Sequence, residues 1–254
     1  MEVTQDAVLF VVTKDFLGKV GPPPKDRLDN FNARTPVVGK LNNVSKIAFN
    51  PDGELFAVRD DDLYRGPMPS DANLDWFTVA RRVGKGGWNR YKFMVFDPCG
   101  VLYAATHDGQ FFKGPAPTDD TVCWLSCCAI KVGTGAWNDF DSLFFDSQAI
   151  LYAVSHDDRL LKRYPPTRAD DDWYASSTTI GKAGWRSLSH FMGFSPDGDL
   201  WCVDSSNGNI YKGPAPDTAD TNYIEKAENL GHSYNMYPFL AFTSDKPNDK
   251  SLVI

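Results

Sequence analysis

Tryptophan, aspartate, asparagine and glycine recur in this chain at positions that repeat about every 48 residues, in two short strings. One places an acid or amide before an aromatic residue: Asn30-Phe31, Asp75-Trp76, Asp172-Trp173 and Asn222-Tyr223, with Cys123-Trp124 keeping only the aromatic. The other places glycine before an aromatic: Gly86-Gly87-Trp88-Asn89, Gly135-Ala136-Trp137-Asn138 and Gly184-Trp185-Arg186. It softens to Gly231-His232-Ser233-Tyr234-Asn235 and, at Leu41-Asn42-Asn43-Val44, loses its aromatic. Such residues are suited to holding a ligand. An indole offers a flat apolar face, Asp or Asn a fixed polar group, and glycine a backbone N–H that no Cβ shields. The structural alternative stays open for both strings: repeated tryptophans pack between sheets, and glycine permits a tight turn.

Bond-making chemistry has little to stand on. No Ser/His/Asp or Cys/His set recurs, and no carboxylate pair stands apart from turn acids. His107 and His156 occupy equivalent hairpins of successive units, so they are spread apart and cannot form one metal site. Asp60-Asp61-Asp62 and Asp170-Asp171-Asp172 could be imagined around calcium, but turns and loops favour Asp on local grounds. The expectation is a non-enzyme with no catalytic residue, metal or cofactor.

A regular frame must position these strings. Leu55-Phe56-Ala57-Val58, Leu102-Tyr103-Ala104-Ala105, Leu151-Tyr152-Ala153-Val154 and Leu200-Trp201-Cys202-Val203 repeat with leucines 47, 49 and 49 residues apart. The clearest unit has strands at 91–96, 101–106 and 110–114 with turns at Asp97-Pro98-Cys99-Gly100 and His107-Asp108-Gly109. A proline-bearing loop follows, and Trp124 is read as opening a fourth strand that ends at Val132-Gly133. Four antiparallel strands per period predict an all-β fold, a single five-bladed β-propeller over 1–254. The blades fall at 8–39 plus 237–242, 45–84, 91–133, 140–181 and 188–231. The strand Val8–Val12 matches a second strand and Tyr237–Phe242 a first strand, so the two ends of the chain should close the ring within one blade, removing exposed edges. Ser251-Leu252-Val253-Ile254 should add a little further pairing. In a simple up-and-down blade the third-to-fourth loop and the blade crossing emerge on opposite faces, so the two strings share one pocket only if the long loop folds along the blade.

A net charge of −7 with no Lys/Arg cluster excludes a phosphate-binding surface, and nucleic acid with it. No run approaches the roughly 20 apolar residues of a membrane span, so no membrane insertion is expected. The N-terminal residues lack the basic start of a signal peptide. This predicts a cytoplasmic or granule-stored protein, with non-classical release as the route out. The five cysteines share no repeating position and read as free thiols, with a single disulfide as the alternative.

Other propellers of this period fit poorly. Asp precedes Trp here, the reverse of a WD40 unit; Gly86-Gly87 directly precede Trp88, unlike a kelch unit; Asp197-Gly198 lack the spacer of a sialidase Asp-box. Val83-Gly84-Lys85-Gly86-Gly87-Trp88-Asn89, Leu143-Phe144-Phe145, Leu151-Tyr152-Ala153-Val154, Tyr164-Pro165-Pro166 and Asp172-Trp173 instead give a unit that resembles the tachylectin-2 family of five-bladed propeller lectins. The resemblance covers nearly the whole chain in the same circular phase. It implies metal-free binding of glycans containing N-acetylglucosamine or N-acetylgalactosamine between adjacent blades, in innate recognition of microbial surfaces. Under it the sugar-binding candidates are Asp75, Trp76, Gly86, Gly87, Trp88, Asn89, Trp124, Gly135, Trp137, Asn138, Asp172, Trp173, Gly184, Trp185, Asn222 and Tyr223. A monomer with several weak sites would gain by avidity. The lapses in blades one and five lead to an expectation of about three competent sites. The competing readings are a protein-interaction platform using the same rim loops and a glycan-processing hydrolase.

Overall fold

The computed structural model describes residues 7–244, and the pairing expected of Ser251–Ile254 lies outside them. The first blade contains β1 (Ala7–Val12), β2 (Leu17–Gly21) and β3 (Val37–Lys40). The second contains β4 (Lys46–Phe49), β5 (Leu55–Arg59), β6 (Asp62–Gly66) and β7 (Arg81–Gly84). The third contains β8 (Tyr91–Phe96), β9 (Val101–Thr106), β10 (Phe111–Pro115) and β11 (Ile130–Lys131). The fourth contains β12 (Phe140–Phe145), β13 (Leu151–Ser155), β14 (Leu160–Arg163) and β15 (Thr178–Gly181). The fifth contains β16 (Phe191–Phe194), β17 (Leu200–Val203), β18 (Ile210–Gly213) and β19 (Glu228–Gly231). The last strand, β20 (Phe239–Ser244), returns to the first blade and pairs antiparallel with β1, Leu9 opposite Phe242 and Val11 opposite Leu240. Five four-stranded antiparallel sheets result, and the β1–β20 pairing closes the propeller.

The repeated quartet explains why these sheets stand face to face. All four residues of Leu55–Val58 are fully buried, as are Leu151, Ala153 and Val154, so the second strands have apolar neighbours on both faces. Successive side chains of a strand point to opposite faces. Leu55 and Ala57 accordingly join a cluster with blade one, and Phe56 and Val58 a cluster with blade three. The same alternation sends Leu151 and Ala153 toward blade three and Tyr152 and Val154 toward blade five. Among the described residues this gives five cores, one per blade boundary.

One local expectation is corrected. The Asp-Trp string opens a single helical turn, not the fourth strand: Trp76–Thr78, Trp124–Cys127, Trp173–Ser176 and Tyr223–Lys226 are all short helices. In blades two and four the preceding acid caps the turn, whereas Cys123 and Asn222 make no side-chain cap and the turns at Trp124 and Tyr223 form without one. Asp75 accepts the Phe77 N–H at 3.2 Å and Asp172 the Ala175 N–H at 2.9 Å, satisfying donors that a helix start leaves unpaired. The fourth strand forms only after that turn.

Candidate functional site

At each blade boundary the glycine string of one blade meets the acid–aromatic string of the next. Trp88 lies 5.7 Å from Trp124, Trp137 5.5 Å from Trp173, Trp185 5.4 Å from Tyr223 and Tyr234 6.2 Å from Phe31, ring centre to ring centre. At the first boundary Leu41 replaces the crossing aromatic and shares a core with Trp76. The strings within one blade thus serve different boundaries, and a site is assembled from two neighbours.

The long loop makes this possible. Lys162 opposite Thr178 fixes the loop's two ends at one end of blade four, whereas Leu160 opposite Gly181 marks the other. The loop climbs between them. The Asp171 carbonyl accepts the N–H of Thr134 at 2.9 Å, and the Tyr174 hydroxyl reaches Asp157 in the far hairpin at 3.0 Å. Its tryptophan tethers it: Trp76, Trp124 and Trp173 donate their indole N–H to the carbonyls of Pro67, Pro115 and Tyr164 at 2.7, 2.8 and 3.0 Å.

Burial settles what the repeated aromatics do. Trp76, Trp88, Trp124, Trp137, Trp173, Trp185 and Tyr223 are all at most 4% exposed. They weld blades together, and only an edge of a ring can reach a cleft. The crossing tryptophan is seated on a glycine. A Cβ at Gly84 or Gly181 would run into the indole nitrogen of Trp88 or Trp185, and one at Gly133 would come within 2.8 Å of the Trp137 ring.

The asparagines of the crossing also have structural partners. In blade two the hairpin residue Asp61 accepts the N–H groups of Gly87 and Asn89 at 2.6 and 2.7 Å, which hold its carboxyl below the usual aspartate range. Asp158 accepts the N–H groups of Gly184 and Arg186 in blade four, at 2.6 and 2.8 Å. Blades three and five have glycine in that hairpin, and the carboxamide oxygens of Asn138 and Asn235 lie 2.5 Å from where a Cβ of Gly109 or Gly208 would stand. Arg186 in place of Asn thus leaves the crossing pinned, because Asp158 already holds it. Asn89 faces Ser45, whose hydroxyl donates to it at 3.2 Å.

The boundaries differ in what they leave open. Between blades three and four a cavity of about 450 Å³ is lined by Gly135, Trp137, Phe140, His156, Asp172 and Tyr174, among others. Its other charged residues are Asp139 and Asp157, with no Lys or Arg in its wall. Tyr174, missed by the sequence reading, is 42% exposed and supplies the flat face that the buried tryptophans do not. Arg159 lies 5.2 Å from the ring centre and Phe140 6.1 Å. At the corresponding places stand Asn32, Phe77, Leu125 and Ile224; the signal was an aromatic residue at a variable position.

Between blades one and two the same place is filled. Arg59 lies 4.2 Å over the ring of Phe77 and reaches Asp75 at 3.4 Å, while Asn42 holds Asp75 at 3.2 Å. Between blades two and three, Gly86, Gly87, Trp88 and Trp124 border a cleft of only about 50 Å³ beside Arg90. Trp185 and Tyr223 meet between blades four and five, each next in sequence to its string's Gly184 or Asn222, and Arg186 turns back to Asp141 at 2.6 Å. Between blades five and one, the boundary with the softest wording, a cavity of about 390 Å³ remains.

The acid triplets are committed locally. Asp62 accepts the Gly86 N–H at 2.7 Å and pairs with Arg82, Asp171 pairs with Arg163 at 2.7 Å, and Asp170 pairs with Arg168. Among the described residues no group of three or more His, Cys, Asp or Glu is placed to hold a metal ion, and no helix is long and apolar enough to cross a membrane. All five cysteines are free; burial pushes the Cys202 thiol up.

Fold and clefts together define a five-bladed propeller with sizeable cavities at two of its blade boundaries, three/four and five/one. The family model named Tachylectin matches residues 11–239, and the chain belongs to that family. A solved symmetrical protein, whose de novo evolutionary emergence is described as shaped by folding constraints, is 31% identical over 92% of this chain and 98% of its own, with a TM-score of 0.82. A nidogen/laminin complex matches 93% of this chain and 98% of its own at 13% identity and a TM-score of 0.48. The calcium-binding protein regucalcin from Agrobacterium tumefaciens matches 82% and 67% at 11% identity and 0.47. At that distance neither bears on function. Family membership points to a lectin, and so to carbohydrate binding.

Proposed function

We propose that this chain is a non-enzymatic lectin for N-acetylated amino sugars, N-acetylglucosamine or N-acetylgalactosamine, held at blade boundaries in the recognition of microbial glycans. The observation that carries the reading is the cavity between blades three and four. It combines an exposed ring, Tyr174, with the exposed carboxylates Asp139 and Asp172 and the glycine-bearing crossing Thr134–Trp137. A pyranose has an apolar C–H face for the ring and hydroxyls for the carboxylates, and the apolar edges of Trp137 and Phe140 suit an acetamido methyl. Affinity for one sugar should be weak because few atoms are buried, so function depends on dense glycans.

A glycan array competed with free N-acetylglucosamine tests this reading. Capture of amino-sugar glycans that the free sugar abolishes supports it. Capture of protein ligands alone, indifferent to the sugar, would favour an interaction platform instead.

A further inference from the structure

The cavity between blades five and one has a different chemistry from its counterpart. Its wall includes Arg27, Asn30, Asn32, His232 and Tyr234. Arg27, Asn30, Asn32 and His232 are exposed. Its one carboxylate, Asp29, is already satisfied: Arg34 donates to it at 2.6 and 2.9 Å and the Lys25 N–H at 3.2 Å, which holds its carboxyl below the usual range. The donors are not. Among the described residues the guanidinium of Arg27 has no carboxylate partner, and the carboxamide nitrogens of Asn30 and Asn32 have no acceptor. His232 uses one ring nitrogen on Ser233 at 2.8 Å and keeps the other. Tyr234 is 3% exposed, and its hydroxyl is buried without a hydrogen-bond partner. A buried hydroxyl left so is unfavourable, and an acceptor supplied from outside would satisfy it.

We infer that this cavity binds a sugar bearing an oxyanion, a carboxylate or a sulfate ester, with Arg27 as its charge partner. Planar guanidinium groups match such oxyanions with paired hydrogen bonds, and amide donors complete the cradle. The inference rests on the reading that blade-boundary cavities hold sugars, but gives this one a ligand class that the acid-lined cavity between blades three and four would repel. The lapses from the repeat in blades five and one would then be a second specificity and not decay.

Calorimetric titrations of the full chain with N-acetylneuraminic acid, glucuronic acid, N-acetylglucosamine 6-sulfate and N-acetylglucosamine test it, on the parent protein and on R27A and R27E. Arg27 is exposed and unpaired, so both variants should melt with the parent. The expected result is that at least one acidic sugar binds, that R27A weakens it tenfold or more and R27E abolishes it, and that N-acetylglucosamine binds all three proteins alike. The arms separate a carboxylate from a sulfate preference. If N-acetylglucosamine binds but acidic sugars bind no better, or R27A leaves them unchanged, this inference falls and the lectin reading stands. If no sugar binds, both fall.

Discussion

Trp137, in the crossing out of blade three, lies 5.5 Å from Trp173, in the long loop of blade four, with the two rings inclined at 41°. Neither ring is more than 2% exposed. This contact ties together the two repeated strings of the sequence and defines the edge at which a cleft opens. The tryptophans make the boundary, and the exposed residues around them decide what it holds.

The seat of the crossing tryptophan sets a first prediction. Gly181→Ala places a methyl against the Trp185 indole, which is itself walled in by Tyr223. Overpacking of this kind costs about 1–3 kcal/mol, or roughly 3–10 °C in Tm for a domain of this size. Thermal melts should show that loss, and combining it with Trp185→Phe should give less than the sum of the two losses. Full additivity would mean that the glycine and the indole are independent.

A second prediction concerns the turn between the first two strands of each blade. Gly53, Gly100 and Gly198 take positive φ there, and in blade four Ala149 does so at 59°. A left-handed alanine costs roughly 1 kcal/mol relative to glycine, offset in part by the entropy that glycine adds to the unfolded chain. Ala149→Gly should therefore raise stability by about 0.5 kcal/mol in a urea titration, with an unchanged m value. A loss of stability would contradict the account of this turn.

The clamp of Asp61 on the crossing makes a third. Asn at this position keeps one acceptor oxygen and loses the other, so Asp61→Asn should cost about 1–2 kcal/mol at pH 7. Because the folded carboxyl titrates below its ordinary value of 3.8, its contribution is present above that value and is lost as pH falls through the lower, folded one. The gap between parent and variant should hold from neutrality down to about pH 4 and then narrow. A gap that widens in acid would reverse the sign and refute the clamp.

Much of this fold is legible in the sequence because its strands are buried on both faces and its period is nearly constant. Leu55–Val58 and its repeats reveal the blades, and Val8–Val12 with Tyr237–Phe242 reveals the closure. What stays hidden is long-range. Nothing near Trp88 says that it meets Trp124 and not Trp76, since that follows from a loop that climbs its own blade. The helical turn after Asp172 is local, and the acid before it is a capping signal that the strand pattern masked. The tryptophans draw notice by repeating, but repetition marked the scaffold; Tyr174 and Arg27 stand where the repeat varies. Blades five and one look decayed by their lost Gly-Trp pair, yet Tyr234 and Phe31 still meet and leave a cavity.

Tyr174 gives the fourth prediction. Tyr174→Ala should weaken N-acetylglucosamine binding tenfold or more in calorimetric titration, corresponding to the roughly 1–2 kcal/mol of a stacked aromatic face. Tyr174→Phe keeps the face and loses only the hydroxyl's bonds, the one it donates to Asp157 and the one it accepts from Arg159, so it should retain most of the affinity. Equal losses in both variants would assign the role to the hydroxyl and not to the ring.

A crystal structure of the chain soaked with N-acetylglucosamine tests the central claim most directly. The account predicts a sugar in the cleft between blades three and four, its apolar face on Tyr174 and its hydroxyls within hydrogen-bond distance of Asp172 or Asp139, with the boundary between blades one and two closed by Arg59. Sugar bound away from the blade boundaries, or at all five of them equally, would contradict it.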